Sequence, residues 1–452
     1  MVAAVTEPAR ETPVRHDVDV LVVGGGSAGL AAATAAARLG ADVLLVERSG
    51  YLGGTLATVT LGSICGLYSV TPDEVIPVVG GFARELLDRM DRVGGVKGPM
   101  RWLETASLLY DPTTLKLVAD GIVTEAGVGL AFHTLAVGIV KDGDRVRGVI
   151  FEGRDGRWAC LARTVIDCTG NADIAALAGA DFEHDTSLIQ APTTMFRFGG
   201  VDTSVATAMT RDELRSHLER AVAAGLPLPR TAGGMFSFRD GTMHLNITRV
   251  LKDGRSPDPL DTEELSAAEV EGRGQLKMYL EAFRGFVPGY ENAFVADIGS
   301  EIGVRESRRV RGEYWLTVDD VMNEARFADS VACCAWPVEE HGAGRATKWV
   351  FLKPGTFYAM PFRMLVPKRL DGLLVAGRCA SASHDAHASM RIAAACMALG
   401  EAAGVAAAQV VNADYRSLDV GRLRTQLERQ GAIIGPAPEA AATDHPRQAV
   451  TA

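Results

Sequence analysis

Residues 24–29 read Gly-Gly-Gly-Ser-Ala-Gly. Gly24, Gly26 and Gly29 fill the spacing G-x-G-x-x-G, with Ser27 and Ala28 between the last two. In that spacing the first glycine permits a tight turn. The second lets backbone approach a pyrophosphate, and the third lets a helix pack closely on a strand. The helix that follows offers free N–H groups and partial positive charge to phosphate oxygens. A carboxylate at the end of the next strand is then needed to hold ribose hydroxyls. Glu47 follows Gly24 by 23 residues, near the ~20 the fingerprint asks for. The glycine pattern alone is a weak signal. Here an apolar strand (Asp19–Val23), an alanine-rich helix (Gly29–Leu39), a second strand (Val43–Glu47) and the acid stand in register. That combination predicts dinucleotide binding rather than a purely structural turn.

Other residues could do chemistry on a substrate. Arg305-Glu306-Ser307-Arg308-Arg309 concentrates positive charge in an acidic chain. As a strand it would put Arg305, Ser307 and Arg309 on one face. Arginine grips carboxylates through two parallel N–H bonds, so Arg305 and Arg308 are candidates for holding an anionic substrate. The alternative is ion pairing to Glu301, Glu306 or Glu313, or a role in holding domains together. His384, in Ser383-His384-Asp385, is a candidate acid or base, and His387 a weaker one. The alternative is a hydrogen-bonded loop histidine. Cys65 has no partner cysteine near it in sequence and reads as a buried, inert thiol. Tyr358 and Arg363 read as structural.

These residues need elements to position them. Residues 1–16 read as a flexible leader and 17–180 as a nucleotide-binding domain. The latter opens with one β-α-β unit, has a glycine- and threonine-rich loop over 50–70, and carries a helical insertion at about 71–129. From Leu130 the pattern turns to short strands with two Asp-Gly hairpin signals: a three-stranded meander feeding the apolar strand Val165–Cys168. Residues 181–350 read as a mixed α+β substrate domain. The nucleotide domain closes over 351–412, with the apolar strand Leu373–Ala376 followed by Gly377-Arg378 and a small-residue helix from about Ser389 to Asn412. Residues 413–452 hold a last helix, Leu418–Gln430, and a disordered tail from Gly435. The fold class is α/β: a Rossmann-like domain with a β-meander and an inserted α+β domain.

The residues after Glu47 narrow the nucleotide. Arg48 is followed by a second glycine turn, Gly53-Gly54-Thr55. With it the chain resembles the FAD-dependent oxidoreductases that have a glutathione-reductase-type flavin domain. VIDCTGNADIAALAGADFE (165–183) resembles the turn at which such chains return to the flavin domain, with Thr169 and Gly170 at its centre. The arginine run, GEYWLT and LLVAGRCASASHDAHASMRIAAACMALGEAAGVAAA extend the likeness to a bacterial FAD-dependent oxidoreductase group related to the fumarate reductase flavoproteins. The resemblance covers roughly residues 17–412 and implies non-covalently held FAD. It departs from the family at Asn171, where Thr-Gly-Asp is common; Asn171 can hydrogen-bond but carries no charge. Flavin reduction puts negative charge near N1 and O2, which a helix N-terminus stabilises. The helix start at Ser389-Met390-Arg391-Ile392 would supply it, which adds Gly377, Arg378, Arg391 and Ile392 to the cofactor residues. Gly400 and Gly404 would let that helix lie against the first βα unit. His384 would then stand beside the flavin as proton carrier.

Composition limits the alternatives. The chain has 452 residues, 47% hydrophobic and 23% charged, with net charge −10, so a globally basic nucleic-acid surface is excluded. Seven cysteines without a C-x-x-C, and no H-E-x-x-H, leave no support for a zinc or iron–sulfur site. No signal peptide or convincing membrane span is present, which points to a cytoplasmic protein. Only one G-x-G-x-x-G occurs, so electrons would pass to oxygen, a carrier or a transiently bound nicotinamide. The leading reading is an FAD-dependent dehydrogenase or reductase acting on a small organic substrate with an unidentified electron acceptor. A redox-neutral isomerase or lyase is the alternative. An aromatic monooxygenase lacks its pyridine-nucleotide motif, and a non-catalytic flavin-fold binding protein would not keep Glu47 and the second glycine turn. Substrate identity and oligomeric state, a homodimer included, stay open.

Overall fold

The computed structural model describes residues 4–344, 346–410 and 414–435. The expected tail from Gly435 lies, beyond that residue, outside the described residues. The first strand, β1 (Val14–Val23), already includes the end of the expected leader. Its last four residues, Val20–Val23, are buried, as an apolar run covered on both faces should be. Helix α1 (Ser27–Arg38) and strand β2 (Val43–Val46) complete the β-α-β unit. After helix α2 (Gly81–Asp91) come β3 (Gly129–Ala131), β4 (Leu135–Asp142), β5 (Arg145–Gly153) and β6 (Gly156–Asp167). The main sheet runs β3-β2-β1-β6-β5-β4. β1 is parallel to β2 and β6, and β6 is antiparallel to β5. The third meander strand and the apolar strand at Val165 are therefore one element, β6, which serves both sheet halves.

Two stretches differ from the expected pattern. Residues 50–70 are not all loop: Thr55–Thr58 is a helical turn and Ser63–Cys65 a strand. The 71–129 region is not wholly helical, because Val96–Trp102 and Thr105–Tyr110 pair as an antiparallel hairpin. β-propensity depends on what a strand packs against, and that hairpin pairs with Ser63–Cys65, a partner remote in sequence.

Beyond β6, strands β7 (Phe196–Gly199), β8 (Gly234–Phe236) and β9 (Thr242–Asn246), helix α3 (Thr262–Phe286) and strand β10 (Phe294–Ile298) build a second layer. The sheet order is β8-β9-β7-β10, antiparallel throughout. Its core is aromatic: Phe196, Phe198, Tyr279, Phe283 and Tyr290 are all fully buried. The arginine run is not the expected strand. Only Arg309–Val310 pairs, with Phe182–Glu183.

The chain then returns to the main sheet. Strand β11 (Leu373–Val375) lies parallel to β6. Helix α4 (His384–Met390) follows, then α5 (Ala393–Gln409), which starts four residues later than expected. Helix α6 (Val420–Arg429) ends the described chain. α5 is buried almost all round, and only small residues allow that. A Cβ on Gly400 would sit 2.1 Å from the Ala28 carbonyl oxygen, and one on Gly404 2.2 Å from that of Ala32. α5 therefore packs directly on α1, as the glycine spacing predicts. Among the described residues no single helix is long and apolar enough to cross a membrane. α4 and α5 reach that composition only together, and they meet at 92°.

Candidate functional site

The first glycine turn is built as its spacing requires. Gly24 has φ +101°, a conformation L side chains rarely adopt. A Cβ on Gly29 would fall 1.8 Å from the Gly24 carbonyl oxygen, so only glycine lets α1 start this close to β1. At Gly26 a Cβ would make only ordinary contact, with Gly54 Cα at 3.7 Å. No side chain caps α1 at Gly26, which leaves its first-turn N–H groups without an intrahelical partner. The second glycine turn is tied to the first, with Gly53 N–H donating to the Gly25 carbonyl at 2.9 Å. Glu47 is buried and accepts from Gly25 N–H and Ser49 N–H, both at 2.7 Å. Each carboxylate oxygen keeps a further lone pair.

Thr169 and Gly170 are held by Asp167. That carboxylate accepts from Thr169 N–H (3.0 Å), Thr169 Oγ1 (2.7 Å) and Ala175 N–H (2.9 Å). Burial pushes it up to about 6 in spite of these bonds. Asn171 Oδ1 accepts from Arg378 Nη2 at 2.7 Å and from Ser307 Oγ at 3.0 Å. The guanidinium of Arg378 is thus oriented by neutral partners and keeps its charge uncompensated. Facing it is the N-terminus of α5. Ile392 at the N-cap makes no side-chain cap bond, so a second helix opens its free N–H groups here. The 92° break after Met390 is what aims that terminus inward.

Most of these groups border one cavity of about 770 Å³. Its lining includes Gly24, Gly26, Ser27, Ala28, Glu47, Arg48, Gly54, Thr55, Thr169, Gly170, Gly377, Arg378, Arg391 and Ile392. Gly29 and Gly53 stand behind it and set the turns. Arg48 lines the mouth and pairs with Glu301. Two uncapped helix termini, a glycine backbone turn and the Arg378 guanidinium form a donor set for a diphosphate-bearing dinucleotide. The residues therefore fit such a cofactor.

The same cavity continues to an inner end formed by residues remote in sequence. Arg305, Asn246, Arg230, Glu339, His341 and Thr347 line it, with Trp102, Trp336 and Trp349. Glu339 accepts from Trp336 Nε1 (3.0 Å) and pairs with His341 Nε2 (2.9 Å). His341 Nδ1 lies 3.2 Å from Thr347 Oγ1. Burial and the charge of Arg305 push the imidazole down to about 3, so it is neutral: Nε2–H donates to Glu339 and Nδ1 accepts from Thr347. Burial opposes ionisation of Glu339, but the hydrogen bonds from His341 and Trp336 and the charge of Arg391 outweigh it and hold it below the usual carboxylate range. Sequence reasoning passed over Arg230, Glu339, His341 and the tryptophans. The signal available was Trp336-Pro-Val-Glu-Glu-His341, six residues with three ionisable groups.

The expected catalytic residues separate. Arg305 reaches the cavity. Arg308 does not line it: its guanidinium pairs with Asp173 at 3.0 Å and donates to the Asn171 carbonyl at 3.1 Å. His384 is also outside the lining. It opens α4, and its Nδ1 lies 2.9 Å from Glu306 Oε1. Burial lowers its basicity, but the Glu306 carboxylate raises it more. Arg309 is not on a face with Arg305; it pairs with Glu306 and Glu183. His387 is buried, with Nε2 on the Arg378 carbonyl at 2.9 Å. Glu340, His384 and Asp385 bring ligand atoms within 4.8 Å of one another. Glu306 already occupies one histidine nitrogen and Lys348 pairs with Glu340, which describes an ion-pair cluster. Cys65 lines the cavity, but burial pushes its thiol up to about 12, so it stays protonated. Tyr358 and Arg363 are tied to Ser389 and Asp329.

The family model described as FAD dependent oxidoreductase matches residues 19–427. Thiamine thiazole synthase of Aeropyrum pernix is 30% identical over 164 residues, 34% of this chain and 54% of that protein. Digeranylgeranylglycerophospholipid reductase 2 of Methanopyrus kandleri is 28% identical over 173 residues, 34% of this chain and 38% of that protein. The chain thus spans about half or less of these curated relatives. A crystal structure of a geranylgeranyl bacteriochlorophyll reductase-like protein from Thermoplasma acidophilum superposes with TM-score 0.46 at 15% identity, covering 92% of this chain and 84% of that one.

Proposed function

The chain belongs to the FAD-dependent oxidoreductase family, and from that premise we propose that it moves a hydride between bound FAD and a small, anionic organic substrate. When bound, FAD supplies a two-electron acceptor or donor for hydride. The observation that carries the reading is the single cavity of about 770 Å³, which joins the glycine turns and the two uncapped helix termini to the inner end at Arg305 and His341.

In this reading the turn at Gly24–Gly29, Glu47, the second turn at Gly53–Thr55, Thr169-Gly170, Gly377-Arg378 and the start of α5 hold the cofactor. The α5 terminus offers N–H donors where negative charge needs stabilising. Tryptophans at the inner end exclude water, and Arg305 orients the substrate. Neither His384 nor His387 lines the cavity, which favours a cofactor held without a covalent bond. Electrons leave to an acceptor other than a resident nicotinamide. With its seven cysteines free, we assign the protein to the reducing cytoplasm.

The test is the visible spectrum of the purified protein before and after acid precipitation. A yellow chromophore released to the supernatant supports the reading; a colourless protein that gains no colour from added FAD overturns it. Anaerobic addition of organic acids then separates the chemistry. Bleaching reports net oxidation of substrate, while turnover without bleaching reports redox-neutral catalysis.

A further inference from the structure

Arg230 and Arg305 are 7% and 8% exposed, and among the described residues neither has an ion-pair partner. Arg305 donates to the Ala191 carbonyl (2.6 Å), Thr193 Oγ1 (2.8 Å) and Asn246 Oδ1 (3.4 Å). Among the described residues the Arg230 guanidinium reaches Thr347 Oγ1 alone, at 3.4 Å, and its buried Nε has no partner. The nearby carboxylate of Glu339 is already bonded to Trp336 and His341. A buried charge without a counter-charge is costly. Burial and the charges of Arg391, Arg230 and Arg249 disfavour the Arg305 cation, and the one nearby carboxylate, Glu339, offsets them only in part. These guanidiniums line a cavity, so what completes them comes from solution, and a planar N–H fork matches a carboxylate.

Three tryptophans share this wall with the polar residues. Trp102 and Trp349 stand edge to face at 5.3 Å, and Trp336 and Trp349 at 6.2 Å. A small inorganic anion would leave these faces wet. A planar apolar body would cover them.

We propose that the inner end of the cavity binds an organic carboxylate with a planar, apolar body: the carboxylate on Arg230 and Arg305, the body against Trp102, Trp336 and Trp349. The proposal rests on the reading above, that substrate enters this cavity, and gives that substrate its chemical class. Arg378 belongs to the other end, where Asn171 and Ser307 hold it beside the glycine turns.

The test is isothermal titration of FAD-loaded protein with benzoate, phenylacetate and indole-3-acetate, with the primary amide of each and with acetate. The amides keep the shape and remove the charge; acetate keeps the charge and removes the body. At least one aromatic acid should bind at least about tenfold more tightly than both its amide and acetate. Equal binding of acids and amides, equal binding of aromatic acids and acetate, or no binding of any acid overturns the proposal. Arg305→Gln should erase the acid-over-amide preference while the FAD content per chain stays unchanged. If that variant does not fold, the comparison on unmodified protein decides. A protein that retains FAD yet does not discriminate acid from amide removes this proposal and leaves the flavin reading. A protein that binds the acids but never FAD does the reverse.

Discussion

At the residue scale, two buried glutamates act in opposite ways. Glu47 satisfies two backbone donors, those of Gly25 and Ser49. Glu47→Ala would strand both, at roughly 1–3 kcal/mol for each group left without water, and would loosen the turn. We expect a lower melting temperature together with reduced FAD per chain. Unchanged FAD content would mean that the acid serves the fold alone. Glu401, on α5, accepts from Phe82 N–H at 3.0 Å. Burial pushes it up to about 7 from the 4.5 of a free carboxyl. The native state therefore holds this proton more tightly than the unfolded chain. Its contribution is complete below about 4.5 and is lost as pH rises through about 7. Glu401→Gln keeps an acceptor for Phe82 and removes the titration. At pH 8 the variant should exceed the parent in stability by on the order of 2 kcal/mol, and the gap should close toward pH 5. Urea midpoints across that range measure it; parallel curves for the two proteins would refute it.

At the element scale, the packing of α5 on α1 links the fold to the site. Gly400 and Gly404 both lie against α1 carbonyls, but Ala28 lines the cavity and Ala32 does not. Alanine at either position overfills a tight contact and should cost about 1–3 kcal/mol. Only Gly400→Ala should also displace Ala28 and lower FAD content. Equal FAD loss from both variants would show general loosening instead. This arrangement was legible in sequence because each part is local: a strand, three glycines, a helix, an acid, and two small residues one helical turn apart. The break between α4 and α5 was not legible. Residues 389–392 suit a continuous helix, and the partners that hold the bend are remote in sequence: Arg391 bonds Gln190 and the Glu339 carbonyl, and Ser389 bonds the Trp336 carbonyl and Tyr358. His384 was misplaced for the same reason: its distance from Gly377 in sequence suggested the cavity, whereas Glu306 draws it away.

At the scale of the whole molecule, the cavity gathers residues from Val23 to Cys396, so only part of its inner end is local in sequence. Glu339 and Trp349 face each other across one strand pair, Val338–Glu340 with Lys348–Val350, whereas Arg230 and Arg305 reach them from distant segments whose spacing does not announce it. The same construction makes occupancy part of stability. A ligand that binds only the folded state stabilises it by about 2.7 kcal/mol at a hundredfold excess over its Kd. The melting temperature of the FAD-free protein should therefore climb with FAD concentration. The two ends of the cavity also make a sharper prediction. The cofactor is assigned to the glycine turns and the α5 terminus, while Arg230 and Arg305 are kept for a carboxylate. FAD and an aromatic acid should then raise the melting temperature together, each adding its own shift. If the shift with both present is no larger than the greater of the two alone, the two compete for the same cations, and the buried arginines serve the cofactor rather than a substrate.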